Sequence, residues 1–224
     1  MSPMRAPSTA PAAGAEPPRD CPLCPRLAGF RAHWRAQEPG WHNAPVPSFG
    51  PSDARLLIVG LAPGLRGANR TGRPFTGDYA GELLYQTLLD FGFATGRFEA
   101  RPDDSLVLTQ ARITNAVRCV PPENKPTTDE MKTCRPFLSG TLAALPRLAA
   151  VVALGKIAHD QVVAAHGLRL SHYKFAHGAR HALGPITLFD SYHCSRYNTN
   201  TGVLTPEMFR AVFASVRRFL DTGV

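Results

Sequence analysis

Three predicted strands, the first of them a continuous apolar stretch, constrain the fold of this chain more than any other feature. They cover residues 54–61 (ARLLIVGL), 148–154 and 185–192. Apolar runs without polar alternation are typical of strands that are buried on both faces, as in parallel sheets. We therefore expect each run to be an inner strand with helices packed against both of its faces.

Amphipathic segments alternate with these runs. The predicted helices cover residues 81–91, 127–145, 156–166 and 205–220, and a fourth strand with a polar end covers residues 105–117. Glu130 stands three residues after Thr127, which is the spacing of a capping box. Pro136 predicts a kink or an early break in that helix. Together these elements predict an α/β fold with three layers, α/β/α, around a central, mainly parallel four-stranded sheet.

Three polar loops follow predicted strands, at residues 62–78, 114–125 and 193–200. In open α/β sheets, ligands bind in the crevice beyond the carboxyl ends of the strands. We therefore expect the three loops to converge on one ligand-binding crevice.

The length of 224 residues fits one well-buried domain. The Pro/Ala-rich residues 1–18 predict a disordered leader, which leaves residues 19–224 as the single domain. No segment has the apolar core of a signal peptide or the length needed to span a bilayer, so we expect a cytoplasmic protein with no membrane partner.

The formal net charge of +8 favours a polyanionic partner such as nucleic acid. A codon bias towards arginine is the alternative explanation of this charge. The chain has five cysteines, an odd number, and no export signal, so metal binding or chemistry explains them better than disulfides.

Four of the cysteines predict one tetrathiolate site. Cys21 and Cys24 form a CxxC pair, whereas fourteen residues separate Cys119 from Cys134. Four thiolates bind either zinc or an iron–sulfur cluster, and both remain open on spacing, although the loose second pair favours the cluster. Cys194 is interpreted as a small loop residue.

The loop of residues 62–78 is rich in glycine but matches neither a P-loop nor a GxGxxG motif. Its arginines suit phosphate contacts, and Phe75 suits stacking on a base. The isolated histidines are interpreted as surface or structural residues: His159, His166, His172, His177 and His181.

Four motifs together resemble the uracil-DNA glycosylase superfamily. They are GLAPG at residues 60–64, RPFTGD at residues 73–78, Asn115, and HCSRYN at residues 193–198. Within the superfamily, the four cysteines and Ala62 in the first motif resemble the family-5 (UDGb-type) enzymes. The resemblance implies a monofunctional hydrolase that removes uracil from DNA and initiates base excision repair. It also implies a wider pocket that admits hypoxanthine and xanthine, and a 4Fe-4S cluster on Cys21, Cys24, Cys119 and Cys134.

The chemistry of such a site follows from its side chains. A base inside a duplex is unreachable, so the nucleotide must be flipped into a pocket. There Phe75 stacks on the base, and Asn115 offers both a donor and an acceptor to its edge. His193 donates a hydrogen bond to a base oxygen and stabilises the departing anion.

The superfamily's commonest first motif carries a carboxylate that orients the attacking water, whereas this chain has Ala62 there, which the resemblance implies to contact the base. The resemblance implies that Asp78 takes over part of this role; the alternative is that Asp78 only begins a helix.

We expect the DNA strand, single or double, to contact Arg70, Arg73, Ser195, Arg196, Tyr197 and Asn198. The last four would enter the minor groove and fill the gap that the flipped base leaves. Cys194 stands where proline is more usual, which puts the rigidity of this loop in question. We further expect a monomer associated with the nucleoid.

Two other functional classes remain as alternatives. One is a non-catalytic nucleic-acid-binding metalloprotein with a four-cysteine zinc site. The other is an iron–sulfur electron carrier, which fits less well because a carrier needs no polar loops around a pocket.

Overall fold

The computed structural model of the chain describes residues 14–223 and contains a five-stranded sheet with helices on both faces. The strands of this sheet are β1 (Leu56–Gly60), β4 (Ala111–Asn115), β5 (Ala150–Leu154), β6 (Arg180–Leu183) and β7 (Ile186–Ser191). A small second sheet pairs β2 (Ala94–Thr95) with β3 (Val107–Leu108). The helices are α1 (Pro25–Gln37), α2 (Ala68–Thr71), α3 (Tyr79–Asp90), α4 (Thr128–Ala143), α5 (Lys156–Ala165), α6 (Arg196–Asn200) and α7 (Pro206–Thr222).

The predicted three-layer α/β/α architecture is confirmed, but the sheet has five strands instead of four. The strand order is β4-β1-β5-β7-β6, and every pairing is parallel except that of β6 with β7. The sequence gives no apolar run for β6 because this edge strand is largely exposed. The predicted strand at residues 105–117 is divided between β3 and β4.

The two faces of the sheet bury alternate residues of each strand. Leu56 and Ile58 pack in a core cluster with α3 and α7, whereas Leu57 and Val59 pack in a second cluster with α4 and α5. This explains why β1 is apolar at every position. No helix in the range 14–223 is long and apolar enough to cross a membrane.

Helix α4 begins as predicted and does not break at Pro136. The Thr127 hydroxyl accepts a hydrogen bond from the Glu130 N–H at 3.2 Å, and the Glu130 carboxylate accepts one from the Thr127 N–H at 2.8 Å. Cys134 and Leu138, on either side of the proline, are buried in separate core clusters. Tertiary packing therefore holds both halves of the helix in place.

The predicted leader extends too far into the domain. Glu16 accepts hydrogen bonds from Arg118 at 2.7 Å and from the Ser48 N–H at 3.1 Å. Arg118 is fully buried, and a buried cation requires a partner of opposite charge, which Glu16 supplies. Residues 14–18 thus belong to the folded domain, while residues 1–13 of the predicted leader lie outside the described residues.

Helix α1 was not predicted. It lacks a clear apolar face, and its only buried residues are Leu27 and Arg31. A pattern search for amphipathic periodicity therefore has little to detect in this segment.

Candidate active site

The three predicted loops meet at the carboxyl ends of the parallel strands, around a pocket of about 690 Å³. Volumes of this size are typical of small-molecule sites. The lining includes all five residues that we predicted to contact the base or the water: Ala62, Phe75, Asp78, Asn115 and His193.

Asp78 occupies the N-cap position of α3, but its side chain makes no capping hydrogen bond. Its Oδ1 atom is buried with no hydrogen-bond partner in the described structure. Burial raises the pKa of this carboxyl above its ordinary value, and the N–H groups of Gly81 and Ala80 only partly offset the effect. Few buried polar atoms lack a partner, so this oxygen is available for a ligand.

Gly67 leaves the space that the Asp78 carboxylate occupies. A Cβ atom at Gly67 would collide with the carboxylate group. Glycine is therefore required at position 67, because a side chain there would displace the Asp78 carboxylate from the pocket.

His193 follows β7 and lies against Phe75, with the ring centroids 6.0 Å apart. Enclosure by the protein lowers the pKa of His193 to about 4, so the imidazole is neutral near pH 7. The Asn198 amide donates to the His193 carbonyl at 2.8 Å, and the Cys194 thiol donates to the Ala80 carbonyl at 3.4 Å. These contacts fix the loop despite the missing proline.

Phe75 and Asn115 form the wall of the pocket beside β1. Asn115 ends β4 opposite Gly60, where a Cβ atom would collide with both Asn115 and Phe75. Phe75 adopts a left-handed backbone conformation with φ of 53°, which is uncommon for an aromatic residue. Its carbonyl approaches Gly81 so closely that only glycine fits there. The strained backbone of Phe75 is supported by this close packing against Gly81, and it holds the aromatic ring in place.

The pocket also contains residues that sequence reasoning missed. Tyr79 directly follows the RPFTGD motif, and Asn124 comes from the 114–125 loop. Arg66 is one of the loop arginines that we expected to contact phosphate, and it also lines the pocket. Asn124 has a φ of 57°, but nothing in the sequence distinguishes it from an ordinary turn residue.

Arg73 is a correction to the predicted DNA contacts. Its guanidinium donates to both carboxylate oxygens of Asp104, at 2.8 and 2.7 Å, and both side chains are buried. It also lies over the ring of Tyr85, 5.4 Å from the centroid. Arg73 therefore stabilises the interior of the loop and is unavailable to phosphate.

The other residues that we predicted to contact DNA do not all lie at the pocket. Arg70 is exposed but lines a neighbouring groove with Trp41, not the pocket. Arg196 reaches the pocket rim and lies over Tyr79, and Tyr197 is 74% exposed. Ser195 and Asn198 form hydrogen bonds within the loop, so they stabilise the segment that carries the exposed Arg196 and Tyr197.

All four predicted ligand cysteines line a single cavity between α1, the segment after β4 and α4. None is in a disulfide, and three of them are buried: Cys21, Cys119 and Cys134. Burial, and after it the nearby Cys119 and other anionic groups, raise the pKa of the Cys24 thiol to about 11. The topology thus joins two cysteine pairs that are distant in the sequence.

The surroundings of these cysteines suit an anionic metal–thiolate group. Arg31 is buried and donates to Cys119 Sγ at 3.2 Å and to the Cys21 carbonyl at 2.9 Å, and none of its bonds within residues 14–223 is to a carboxylate. The Arg118 N–H points to Cys134 Sγ at 3.4 Å. A buried guanidinium next to sulfur is stabilised when the sulfur carries negative charge.

The spacing of the sulfur atoms bears on which metal fits. In tetrahedral zinc sites, Zn–S bonds of about 2.3 Å place the sulfur atoms roughly 3.8 Å apart. Within residues 14–223, the only group of three potential ligand atoms within 4.8 Å of one another is His159, His181 and Asp190, so the cysteines are more widely spread.

Comparison with known proteins agrees with this geometry. Residues 47–217 match the model of the uracil DNA glycosylase superfamily. A type-5 uracil-DNA glycosylase of Thermus thermophilus is 46% identical over 88% of this chain and 93% of its own length. Those of Pyrobaculum aerophilum and Mycobacterium leprae are 37% and 39% identical, over 91% and 88% of this chain and 90% of their own lengths. The chain belongs to the uracil DNA glycosylase superfamily and, within it, to the type-5 family.

Proposed function

We propose that this protein hydrolyses the N-glycosidic bond of uracil in DNA and so initiates base excision repair. One observation carries the proposal: Asp78, Asn115 and His193 line one pocket, and the Asp78 Oδ1 atom there is buried with no hydrogen-bond partner among the described residues. Buried polar groups without partners suit a site that completes its hydrogen bonds with a substrate.

Phe75, Asn115 and His193 recognise the base and stabilise its departure. The flipped base stacks on Phe75, while the Asn115 amide pairs with its edge through one donor and one acceptor. Negative charge develops on the base as the bond to the sugar breaks. The neutral His193 ring donates a hydrogen bond to the base oxygen and stabilises this charge.

Asp78 orients the water that attacks the sugar carbon. As a carboxylate, it accepts a hydrogen bond from the water and favours the positive charge that develops on the sugar. Its raised pKa makes it a better proton acceptor than an exposed aspartate. The water's oxygen forms the new bond to carbon and one of its protons passes to Asp78, while the base leaves with the bonding electrons and takes up a proton from solvent.

The rim of the pocket holds the DNA strand. Arg66 and Arg196 are exposed at the rim and suit phosphate contacts. The exposed Tyr197 ring fills the space that the flipped nucleotide leaves in the stack. Since one chain supplies the whole pocket, we infer that the protein acts as a monomer, on single- or double-stranded DNA of the nucleoid.

The same pocket suits deaminated purines. Ala62, Pro63 and Gly64 line it without long side chains, so its width is not limited to one pyrimidine ring. We therefore include hypoxanthine and xanthine in the substrate range.

Cys21, Cys24, Cys119 and Cys134 would hold a 4Fe-4S cluster, which fixes the segment after β4 against the N-terminal helix. The wide sulfur spacing supports this over a single zinc ion. None of the four cysteines lines the base pocket, so the proposed role of the cluster is structural.

A base-release assay tests the activity. Single- and double-stranded oligonucleotides with one uracil, hypoxanthine, xanthine or mispaired thymine are incubated with the protein, and abasic sites are then cleaved with alkali. We expect cleavage at uracil that weakens steeply with salt, because phosphate contacts release counterions. DNA binding without cleavage would favour a non-catalytic nucleic-acid-binding protein instead.

Iron and sulfide analysis of protein purified without oxygen tests the cluster. We expect iron and sulfide in equal amounts. One zinc ion per chain without iron would contradict the cluster and leave the proposed activity untouched.

A further inference from the structure

A second group of potential metal ligands lies away from both the base pocket and the four cysteines. His159 of α5 and Asp190 of β7 are fully buried, and His181 of β6 is 14% exposed. His159 Nδ1 lies 2.7 Å from one Asp190 oxygen, and His181 Nε2 lies 3.0 Å from the other. Although isolated in the sequence, these side chains form one compact group.

The hydrogen bonds of His159 require a cation. Its Nε2 atom lies 2.9 Å from the Tyr173 carbonyl, which only accepts, so Nε2 carries the proton of a neutral ring. Nδ1 is then an acceptor, and it faces a carboxylate oxygen, which is another acceptor. Two acceptors at 2.7 Å need a proton between them, and a metal ion that replaces this proton would hold the two atoms farther apart, at roughly 3.3 Å, because Zn–N and Zn–O bonds are about 2.0 Å long.

Three features favour a metal ion. The ligand atoms of His159, His181 and Asp190 all lie within 4.8 Å of one another. Two imidazole nitrogens and a carboxylate are a ligand set that zinc and related transition metals accept. In addition, a metal-bound histidine usually donates its other N–H to a backbone carbonyl, as His159 does to Tyr173.

We propose that His159 Nδ1, His181 Nε2 and the Asp190 carboxylate form a binding site for a divalent transition-metal ion such as Zn²⁺. The ion displaces the proton from between His159 and Asp190, while His181 binds as the tautomer protonated on Nδ1. Protein encloses the site, and none of its three ligands lines the base pocket. The site is therefore structural.

The position of the site gives the ion a mechanical role. It joins α5, the edge strand β6 and the central strand β7 in a single set of bonds. Asp190 precedes His193 by three residues on the same segment. A bound ion would therefore stiffen the strand that presents His193, and this holds whatever base the pocket accepts.

Zinc retention tests the proposal on protein that has its cysteine site loaded with iron. Wild type, His181→Ala and His172→Ala are incubated with Zn²⁺, desalted, and analysed for zinc and iron. His172→Ala is the matched control, since His172 is an exposed histidine of the segment between α5 and β6. We expect about one zinc per chain in wild type and His172→Ala, at least about tenfold less in His181→Ala, and unchanged iron in all three.

Two results would overturn the site: a wild type that retains no zinc, which leaves the proton as the bridging cation, or equal zinc in His181→Ala. If His181→Ala does not fold, zinc-edge anomalous diffraction from wild-type crystals decides the question. A peak between His159, His181 and Asp190 supports the site, whereas a peak only at the cysteines or no peak overturns it.

Discussion

The four-cysteine site and the base pocket assemble distant residues in similar ways, but they differ in how their polar groups are partnered. Around the cysteines, the terminal nitrogens of the buried cations Arg31 and Arg118 already bond to sulfur, carbonyl or carboxylate groups, and only their Nε atoms lack a partner among the described residues. In the pocket, the Oδ1 atom of Asp78 has no hydrogen-bond partner among the described residues. The first arrangement holds the fold together, and the second leaves groups ready for a substrate.

The two regions meet along one pair of loops. The Val117 N–H donates to the Leu61 carbonyl at 2.9 Å, next to Ala62 of the pocket and two residues before Cys119. Ala62 also packs against the buried cluster that contains Cys119 and Cys134. The division between fold and chemistry can therefore be tested by changing each region separately.

Cys134→Ser should have the largest effect. It removes a proposed cluster ligand that is buried beside Arg118, and metal-site binding energy is part of the folding energy. We expect loss of iron and a fall of more than about 4 kcal/mol in the free energy of unfolding. Iron analysis and denaturant titration measure both.

Cys194→Ser is its control, since Cys194 is as deeply buried but belongs to the His193 loop. We expect this variant to retain its iron. Loss of iron from Cys194→Ser would mean that the two regions are not separate.

His193→Ala should have the largest effect on chemistry with little effect on the fold. Removing one donor to a developing anion slows the reaction by about 10²–10³-fold. Single-turnover base release measures the rate, and thermal unfolding checks the fold. A rate equal to that of wild type would refute the role of His193.

Asp78→Asn should reduce the rate by about 10²-fold and change its dependence on pH. Asp78 assists only as a carboxylate, and its pKa is raised, so the wild-type rate should fall with decreasing pH earlier than for an exposed aspartate. His193, with a pKa of about 4, is neutral above that pH. The variant should lose this acidic decline.

Asp129→Asn is the matched control for Asp78, because its carboxylate is 94% exposed on α4. It should keep both the rate and the pH profile of wild type. An unchanged acidic decline in Asp78→Asn would assign the titration to another group.

Asn115→Ala should have the smallest of these effects, on selectivity more than on rate. It removes two hydrogen bonds to the base edge, each contributing about 1 kcal/mol. We expect the preference for uracil over hypoxanthine to fall by roughly tenfold or more. Rates on matched oligonucleotides give this ratio, and an unchanged ratio would place uracil recognition elsewhere in the pocket.

The features that could be predicted from the sequence are those with a local signature. Apolar runs identified the inner strands, the capping box identified the start of α4, and loops after strands identified the pocket. Each of these patterns depends on a few neighbouring residues, so it can be recognised without knowledge of the tertiary fold.

The features that were missed depend on distant partners. Arg73 looks like a phosphate ligand until Asp104, far along the chain, is seen to neutralise it. Glu16 belongs to the predicted disordered leader, but in the structure it forms an ion pair with the buried Arg118. The group of His159, His181 and Asp190 has no signature at all, because three separate elements contribute to it.

The unbonded oxygen of Asp78 also limits how far this protein can be improved by engineering. A buried acid without a partner makes the resting state less stable than a well-packed apolar residue would. Substitutions there that raise thermal tolerance should therefore reduce turnover, as expected where stability and activity trade off. Thermostable variants for use in the laboratory are better sought on the helical faces, away from the carboxyl ends of the strands.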